Sequence, residues 1–405
     1  MTTGLETPAV PERRICVVGS GTRFLSGISV YTARLANVLS HTNRVSIVTM
    51  RELLPRRLYP GRVRVGANLT EIRLEPGVTR FDGIDWYWLP SLLRGVWFIA
   101  RQRPHVLILQ WWTGTVLHTY LALSLVGRLL GARVVIEFHE VLDTGEANIR
   151  PVRAYVGVLA PIVVRLASAF TVHSSFDETL VRTRYRIGKR RQIAVLPHGP
   201  HDHYQDSAGA SALREPPPET CNLLFFGIIR PYKGLEDLVA AFDAIPPEDI
   251  HRYWLTVVGE TWEGWTLPGE LIAASRYLDR ITFVNRYVHD NELDAYLRGS
   301  DAVILPYRRS SLSGPLHVAM GYGLPIVMTD VGGNAEAAAG YGGIVLVPPG
   351  DPVALRTAIE TLQPSDVRHE HPHSWEHTAA RYDELFGALL GDGPVGTPDA
   401  RTEAP

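Results

Sequence analysis

Residues 221–234 read Cys-Asn-Leu-Leu-Phe-Phe-Gly-Ile-Ile-Arg-Pro-Tyr-Lys-Gly. The apolar run that ends at Phe226 is typical of a strand covered on both faces of a sheet. A short loop from Gly227 to Gly234 follows, and the pattern over 234–245 predicts a helix. Because a strand, a loop and a helix form the repeating unit of a parallel sheet, this stretch predicts an α/β fold.

The same unit recurs through the first half of the chain. Short β-rich runs predict strands at 14–19, 44–49, 68–74, 105–110, 133–138, 169–172 and 193–196. Helical patterns between them predict helices at 28–40, 92–103, 115–130, 153–168 and 176–185. Several of the runs are nearly continuous in Val, Ile and Leu, which indicates a parallel sheet with helices on both faces.

The second half repeats this plan. Strands are predicted at 222–227, 253–259, 280–285, 302–306, 325–329 and 343–347, and helices at 234–245, 269–276, 291–298, 315–322, 335–339 and 352–362. We therefore predict two tandem Rossmann-like domains, at 13–200 and 221–365, joined by a Pro- and Ser-rich linker at 201–220. A helix at 374–390 is expected to return to the first domain, and the tail 391–405 to be disordered.

Composition places the chain among ordinary globular proteins. It has 405 residues, 45% hydrophobic and 20% charged, and this length suits two domains. The first 14 residues do not resemble a signal peptide, and apolar runs such as 156–164 are shorter than the ~20 residues that span a bilayer. Cys16 and Cys221 lie in predicted strands, so we expect reduced thiols and a cytoplasmic location.

Charge is divided unevenly along the chain. Residues 1–200 carry a net charge of +13 and the remainder −15, for a total of −2. A basic half suggests attraction to an anionic surface, such as an acidic lipid leaflet, a phosphorylated acceptor or nucleic acid; solubility and attraction between the halves are the alternative. The Arg-rich stretches 56–64 and 182–191 flank apolar helices, which favours peripheral contact with an anionic membrane over nucleic-acid binding.

A glycine-rich loop from Gly19 to Gly27 joins the first predicted strand to the first helix. Glycines let the backbone approach a ligand, and the helix N-terminus favours an anion, although many doubly wound domains have such a turn for structural reasons. A dinucleotide-binding loop would need glycine at Phe24 and an acid near Arg51, at the end of the second strand. The sequence therefore does not favour a dehydrogenase.

Two cations, Arg230 and Lys233, stand three residues apart in the loop after the first strand of the second half. Such a pair suits a diphosphate, because negative charge grows on the phosphate as a sugar departs from it. The chain contains 38 Arg but only two Lys, Lys189 and Lys233, so position 233 departs from the general preference for arginine. A solvated pair of loop cations is the alternative interpretation.

A Ser-Gly pair precedes another predicted helix. Ser313 and Gly314 stand before Pro315, which favours a helix start, so Ser313 is expected to cap the helix. The N–H groups of this loop could also hold a sugar hydroxyl or a phosphate, because ligands of doubly wound sheets bind at the carboxyl ends of strands. Capping alone accounts for much of the pattern.

His139 follows a predicted strand directly, where it could contact a transferred sugar or shuttle a proton, although a lone histidine is often structural. His173 and His198 are weaker candidates at other strand ends. No Asp-x-Asp pair follows a strand, and no His/Cys cluster has metal-ligand spacing. The His-rich segment 369–373 is expected to be solvated, so the sequence predicts neither a metal site nor a cofactor.

Together these segments resemble the family-4 retaining glycosyltransferases of the GT-B fold, over about residues 14–390. The matching segments are the loop ending at Gly27, His139 after its strand, FFGIIRPYKG at 225–234, SGPLHVAMGYGLPIV at 313–327 and VGGNAEAAAGYGGIVLVPPGD at 331–351. Their order and spacing across two tandem domains carry the resemblance.

The resemblance implies an active site in the cleft between the domains, with Arg230 and Lys233 holding the diphosphate of a nucleotide-sugar and no metal ion. Gly27 would contact that diphosphate from the opposite domain, and His139 would lie near the donor sugar and the acceptor. The other implied donor-binding residues are Gly227, Ser313, Gly314 and Glu336. Retention would follow from front-face attack, in which the leaving phosphate helps to remove the acceptor proton.

One segment departs from the family pattern. Many members carry two glutamates eight residues apart, where this chain has Ser310 and Val318. The second glutamate usually holds the nucleotide ribose, so ribose recognition is left open here, and Glu336 is not assigned that role. A subset of the family has Ser-Gly in this segment, and this chain resembles that subset.

The sequence thus predicts a hexosyltransferase-type enzyme that moves a sugar from a UDP- or GDP-sugar to a hydroxyl acceptor in polysaccharide or glycoconjugate biosynthesis. The acceptor, a glycan, a glycolipid or a small molecule, is not defined. Two alternatives stay open: another GT-B enzyme of sugar nucleotides, such as an epimerase or a phosphorylase, and a non-catalytic sugar-nucleotide binder.

Overall fold

The computed structural model describes residues 13–21, 27–52, 73–85, 87–140, 150–201, 216–217, 219–261, 265–310 and 313–391. Within these ranges the chain forms two parallel β-sheets covered by helices, which confirms the predicted pair of α/β domains. The Arg-rich stretch 56–64, most of the predicted linker and nearly all of the tail lie outside the described residues.

The first sheet has seven parallel strands in the order β3-β2-β1-β4-β5-β6-β7. These are β1 Arg14–Ser20, β2 Arg44–Glu52, β3 Thr79–Asp85, β4 Val106–Trp111, β5 Arg133–Phe138, β6 Ala169–Val172 and β7 Ile193–Val195. Its helices are α1 Gly27–Leu39, α2 Leu89–Gln102, α3 Leu117–Leu129, α4 Arg150–Leu166 and α5 Ser175–Tyr185.

The second sheet has six parallel strands in the order β10-β9-β8-β11-β12-β13. These are β8 Cys221–Phe226, β9 Tyr253–Val258, β10 Ile281–Val284, β11 Ala302–Leu305, β12 Ile326–Thr329 and β13 Ile344–Val347. Its helices are α6 Leu235–Asp243, α7 Leu267–Ala274, α8 Asp290–Arg298, α9 Gly314–Gly321, α10 Asn334–Ala337 and α11 Pro352–Glu360; the helix α12 Trp375–Leu390 follows.

Both faces of each sheet are buried. In the first domain, Tyr31 of α1 and Tyr382 of α12 pack on one face, whereas Phe98, Tyr120 and Val163 of α2, α3 and α4 pack on the other. The second sheet likewise has one core against α6, α7 and α11 and another against α8, α9 and α10. Burial on both faces is the physical reason for the unbroken apolar runs that predicted these strands.

One predicted strand is wrong. The prediction placed the third strand at 68–74, but residues 73 and 74 are not extended into a strand, residues 68–72 lie outside the described part, and β3 is Thr79–Asp85. This edge strand reads Thr-Arg-Phe-Asp-Gly-Ile-Asp, is buried only at its end, and pairs with β2 through an irregular register. An edge strand with one neighbour needs no apolar run, so periodicity did not reveal it. The other predicted elements are present, with ends shifted by at most three residues.

The helix α12 packs against α1 of the first domain and is fixed to the segment after β7. The indole of Trp375 donates to the carbonyl of Pro200 at 2.9 Å, and the hydroxyl of Thr378 donates to that of Pro197 at 3.0 Å. A Cβ atom at Gly199 would stand 2.4 Å from the indole of Trp375, so only glycine fits beneath this ring. The end of the second domain is thereby attached to the first.

The strand order reverses between β1 and β4 in the first sheet and between β8 and β11 in the second. Ligands of open α/β sheets bind at such points, outside the carboxyl ends of the strands.

Among the helices described, none combines the length and the apolar character that crossing a bilayer requires.

Candidate active site

Glycines shape the loop after β8. Gly227 has φ 99° and Gly234 has φ 67°, both in the left-handed region that favours glycine. A Cβ atom at Gly234 would stand 2.0 Å from the carbonyl oxygen of Pro306, so any side chain there collides with the loop after β11. At Gly227 a Cβ atom would stand 3.0 Å from Nζ of Lys233. The two glycines therefore fix the course of the loop that carries both predicted cations.

Lys233 is a buried cation. Lys233 is only 8% exposed, and its Nζ lies 5.4 Å from the centre of the Tyr307 ring. Burial, and then the charge of Arg230, lowers the pKa of Lys233 to about 7. No carboxylate lies within ion-pairing distance of this ammonium in the described part of the chain. By contrast, exposed Arg308 nearby pairs with Asp237 at 2.7 Å. A buried ammonium in this setting favours an anionic ligand.

Arg230 accompanies Lys233 at the other end of a single 3₁₀ turn, Pro231–Lys233. The Lys233 N–H donates to the Arg230 carbonyl at 2.9 Å, which keeps the turn closed. Burial raises the pKa of Tyr232, and neighbouring Arg230 opposes that rise, so the guanidinium is close to this ring. The charge of Glu140, from the first domain, adds to the rise in the pKa of Tyr232.

The Ser-Gly pair lies where the sequence predicted a cap. Ser313 is buried, and its hydroxyl accepts the N–H of Leu316 at 3.2 Å at the start of α9, which confirms the capping prediction. A Cβ atom at Gly314 would meet no atom within 4 Å, so the backbone at this residue borders open space. The loop after β11 thus presents free room beside the loop that carries Lys233.

His139 follows β5 in the first domain and is buried. Its Nε2 lies 3.4 Å from Oε2 of Glu137, a fully buried carboxylate in the middle of the domain. Oε1 of that carboxylate accepts the hydroxyls of Tyr31 at 2.6 Å and Tyr382 at 2.5 Å, and Oε2 accepts the amide of Gln110 at 3.0 Å. Side chains from α1, β4, β5 and α12 therefore converge on one acid.

Burial alone would make Glu137 hard to ionise. The charges of His139 and His173 and the bond from Tyr31 outweigh that effect and lower the pKa of Glu137 to about 2. Burial, and then the charge of His139, lowers the pKa of His173 to about 4. The site therefore contains a buried carboxylate anion beside a neutral imidazole at ordinary pH.

A row of histidine rings leads from this acid across the domain boundary. Ring centres are 4.9 Å apart for His139 and His173, 5.5 Å for His173 and His198, and 4.4 Å for His198 and His317. His317 belongs to α9 of the second domain, and it was not among the site residues predicted from the sequence. His173 and His198, the weaker candidates, thus lie in the same site as His139.

A cavity of about 210 Å³ opens beside these rings at the boundary of the two domains. Its lining comes from both domains and consists of His173, Val195, Pro197, His198, His317, Glu336, Ala337 and His373. Glu336, a predicted donor-binding residue, also makes a contact between the domains. Its carboxylate accepts the N–H of Ser175 at 2.8 Å and the Ser175 hydroxyl at 2.6 Å.

Gly27 is the first residue of α1, but the loop at 22–26 lies outside the described residues. The start of α1 is tied to the end of β1, because the Ser29 hydroxyl donates to the Gly21 carbonyl at 3.0 Å. The position of Gly27 relative to a ligand therefore stays a prediction.

The sequence missed Glu137, Tyr31 and Tyr382. The one available signal was an acid inside the apolar run Arg133–Phe138, where a charge is costly unless it is paired. Its partners are 106 and 245 residues away in the chain, so no local pattern could identify them. The fold also brings Glu137, His139 and His173 together, with one ligand atom of each within 4.8 Å of the others.

Sequence comparisons relate part of this chain to known proteins. Residues 220–363, which include the loop of Arg230 and Lys233, match the family described as Glycosyl transferases group 1. Over 193 residues the chain is 29% identical to D-inositol 3-phosphate glycosyltransferase 2 of Catenulispora acidiphila. The match covers 44% of this chain and 45% of that relative, so the chain spans less than half of the length of that protein.

Solved structures resemble the chain over nearly its whole length. Sucrose-phosphate synthase of Thermosynechococcus elongatus has a TM-score of 0.66 at 18% identity, covering 94% of this chain and 100% of that one. HepE of Anabaena, solved with UDP and glucose, has a TM-score of 0.58 at 15% identity, covering 94% and 97% of the two chains. The fold is therefore GT-B.

Proposed function

We propose that this chain is a hexosyltransferase-type enzyme that moves a sugar from a nucleoside-diphosphate-sugar to a hydroxyl acceptor with retention of anomeric configuration. The observation that carries the proposal is buried Lys233, paired with Arg230 on one turn at the carboxyl end of β8. That turn lies beside the reversal of strand order, where ligands bind in this class of sheet. The match to Glycosyl transferases group 1 includes the turn and supports the proposal.

The two cations would stabilise the leaving nucleoside diphosphate. As the bond between the sugar and the phosphate breaks, negative charge grows on the phosphate oxygens, and preorganised cations lower the energy of that state most. Their effect is larger in a buried site than in water, because the effective dielectric constant is lower. In this proposal Arg230 and Lys233 supply the neutralisation that a metal ion provides elsewhere. Gly227, Gly314 and Ser313 would shape the donor pocket around them.

The first domain would supply His139 at the donor sugar and acceptor. Glu137, held by Tyr31, Tyr382 and Gln110, fixes a negative charge 3.4 Å from the imidazole. The acceptor oxygen would attack the anomeric carbon on the face that the phosphate leaves, and the acceptor proton would pass to the departing phosphate. Gly27 would contact the diphosphate at the N-terminus of α1, where an anion is favoured.

The double variant Arg230→Ala/Lys233→Ala tests the proposal. It should lose donor turnover by several orders of magnitude while keeping its unfolding temperature, because both side chains leave a loop whose course is fixed by glycines. Lys189→Ala is the matched control, since Lys189 is the only other lysine and is exposed. A thermal-shift screen with UDP, GDP and their sugar conjugates selects the donor first. Near-normal turnover in the double variant would refute the assignment.

The absence of the paired glutamates favours one other function, a sugar-nucleotide binder without transferase activity. Such a protein would show the thermal shift with a nucleotide-sugar and no turnover with any acceptor. An epimerase or a phosphorylase would instead convert the donor without an acceptor hydroxyl, or with phosphate in its place. Following the donor by mass with and without acceptors separates these activities from glycosyl transfer.

We also propose that the first domain contacts an anionic membrane, as a peripheral protein at the cytoplasmic leaflet. The helices α2, α3 and α4 lie on one face of the first sheet, and together they carry six arginines and no acidic residue. Their exposed large apolar side chains include Leu93, Trp97, Leu125, Leu129, Val158 and Ile162. Apolar side chains with arginines between them suit the interface of an anionic bilayer. We call this surface the three-helix face.

The three-helix face adds a second surface to the predicted contact through the Arg-rich stretches. The stretch 56–64 lies outside the described residues. In the stretch 182–191, Arg182 pairs with Glu178 at 2.7 Å, and Arg191 donates to the carbonyl of Val164 at 3.3 Å. Both arginines therefore have structural partners in the protein, whereas Leu93 and Trp97 are exposed.

A further inference from the structure

We propose that Glu137, His139 and His173 form a binding site for a divalent transition-metal ion of the Zn²⁺ type, which we call the Glu-His-His site. The ligand atoms would be a carboxylate oxygen of Glu137 and the Nε2 atoms of His139 and His173. One ligand atom from each of these buried residues lies within 4.8 Å of the other two. This inference does not depend on the proposed transferase reaction, because it concerns binding of the ion itself.

The hydrogen bonding of His173 leaves a lone pair directed into the site. Its Nδ1 lies 3.1 Å from the carbonyl oxygen of Leu196. A carbonyl can only accept, so Nδ1 carries the hydrogen and Nε2 of the neutral ring carries a lone pair. That Nε2 is buried and has no hydrogen-bond partner in the described part of the chain, and it lies 3.8 Å from Oε1 of Glu137. Two acceptors therefore face each other without a donor between them.

Glu137 has one acceptor position left. A carboxylate offers about four lone-pair positions, and three are used by Tyr31, Tyr382 and Gln110. The remaining position, on Oε2, lies 3.4 Å from Nε2 of His139, which is longer than a normal N–H···O bond and leaves that nitrogen without a hydrogen-bond partner among the described residues. A cation at this point would bind the free lone pairs of Glu137 and His173, and His139 would bind it in the tautomer whose Nε2 is unprotonated.

The ligand atoms lie close to the spacing that a tetrahedral ion requires. Zinc binds imidazole nitrogen and carboxylate oxygen at about 2.0–2.2 Å, which places ligand atoms about 3.3–3.6 Å apart. Nε2 of His139 lies 3.4 Å from Oε2, Nε2 of His173 lies 3.8 Å from Oε1, and the ligand atoms of the three residues lie within 4.8 Å of one another, so a bound ion would draw them together. Two histidines and one glutamate form a known kind of zinc ligand set, and oxygen and imidazole ligands suit this class of metal.

The surroundings provide the support that metal ligands need. The Leu196 carbonyl orients His173, and two tyrosines and an amide orient Glu137, as outer partners commonly do around bound zinc. His173 lines the cavity of about 210 Å³, so the fourth coordination position would be reached from the cleft between the domains. A bound ion would occupy His139 and thereby inhibit any reaction that uses this imidazole.

Titration of the full-length, metal-free protein with Zn²⁺ in a calorimeter, and with Co²⁺ in a visible spectrophotometer, tests the Glu-His-His site. We expect one equivalent of Co²⁺ to give the visible absorption of a four- or five-coordinate ion. His173→Ala should weaken binding of both ions by at least ~10-fold. The matched control is His41→Ala/His251→Ala, which removes two exposed imidazoles away from the cavity and should leave the affinity unchanged.

A second variant keeps the test decisive if His173→Ala does not fold. Glu137→Gln retains the volume and still accepts the tyrosine hydroxyls, but it removes the charge that attracts the ion, so it should also weaken binding by at least ~10-fold. The proposal is overturned if the wild-type protein gives no Co²⁺ spectrum. It is equally overturned if folded His173→Ala or Glu137→Gln binds as the wild type does, or if only the control variant loses the ion.

Discussion

His198 of the first domain stacks on His317 of the second, with ring centres 4.4 Å apart and ring planes inclined by 21°. This contact joins the two domains through neutral rings, because burial, and then the charge of neighbouring His201, lowers the pKa of His317 well below its ordinary value. Burial, and then the charge of His371, lowers the pKa of His201 to about 3. The contact between the domains therefore depends on histidines that stay unprotonated in the folded protein.

Stability should consequently fall in acid. His201 and His317 take up protons near pH ~6.5 when unfolded but only at lower pH when folded, so the unfolded chain binds more protons. The free energy of unfolding is therefore highest above pH ~6.5 and decreases as the pH falls below it. Each such histidine contributes a slope of up to about 1.4 kcal/mol per pH unit. Denaturant unfolding at a series of pH values measures this slope.

The variant His317→Gln separates this effect from general acid denaturation. It should reduce the pH slope by up to one proton, whatever its effect on the absolute stability. His41→Gln, at an exposed position, is the control and should leave the slope unchanged. An unaltered slope in His317→Gln would contradict the role of this ring.

Gly234 offers a test of the loop that carries the cations. Gly234 and Gly350 share the same φ of 67°, but a Cβ atom at Gly234 would stand 2.0 Å from the Pro306 carbonyl, whereas none lies within 4 Å at Gly350. Gly350→Ala should therefore cost only the backbone strain, about 1 kcal/mol. Gly234→Ala adds a collision and should cost at least about 3 kcal/mol and weaken nucleotide binding. Equal unfolding temperatures for the two variants would show that the loop can move away.

Tyr382 attaches α12 to the buried acid of the first domain. Tyr382→Phe removes the hydroxyl that donates to Glu137 at 2.5 Å and leaves that carboxylate short of one hydrogen bond. Loss of a bond to a buried charge costs about 1.5–3 kcal/mol, so the unfolding midpoint should shift accordingly. Tyr296→Phe, in the second domain and away from the acid, serves as control and should shift the unfolding midpoint much less. An unchanged unfolding midpoint in Tyr382→Phe would mean that the remaining hydrogen-bond donors are enough to stabilise the Glu137 carboxylate.

How far the sequence could predict this molecule is clearest at β3 and β5. Strand β5 is buried on both faces, so its apolar run predicted the strand correctly. Strand β3 is an edge strand of mixed polarity, and the prediction placed it about ten residues too early. Both cations of the loop after β8 could be found locally, because Arg230 and Lys233 lie on one turn. The role of Glu137 could not be predicted in the same way, because its partners Tyr31 and Tyr382 are distant in the sequence and meet it only in the folded chain.

Lys233 should give donor binding a characteristic pH dependence. With a pKa of about 7 in the unliganded protein, the side chain loses its charge as the pH rises through neutrality. A diphosphate prefers the protonated form, so the affinity for UDP or GDP should fall by up to about 10-fold per pH unit above pH ~7. Lys233→Arg keeps its charge over this range and should flatten the profile. Calorimetry of nucleotide binding at a series of pH values measures the affinity of the wild type and of Lys233→Arg. Parallel pH profiles for the two proteins would contradict the assignment of this pH dependence to Lys233.

The three-helix face should determine whether the protein binds membranes. Leu93 and Trp97 are 57% and 62% exposed, beside Arg94 and Arg101, so Leu93→Glu/Trp97→Glu removes apolar area and adds repulsion from anionic lipid. Flotation with anionic liposomes should then fall by at least ~10-fold, and high salt should weaken wild-type binding. The matched control is Leu267→Glu/Leu278→Glu, with the same substitutions at exposed leucines of the second domain, which should float like the wild type. Equal recovery with neutral lipid, or equal loss in both double variants, would show that α2 is not the docking surface.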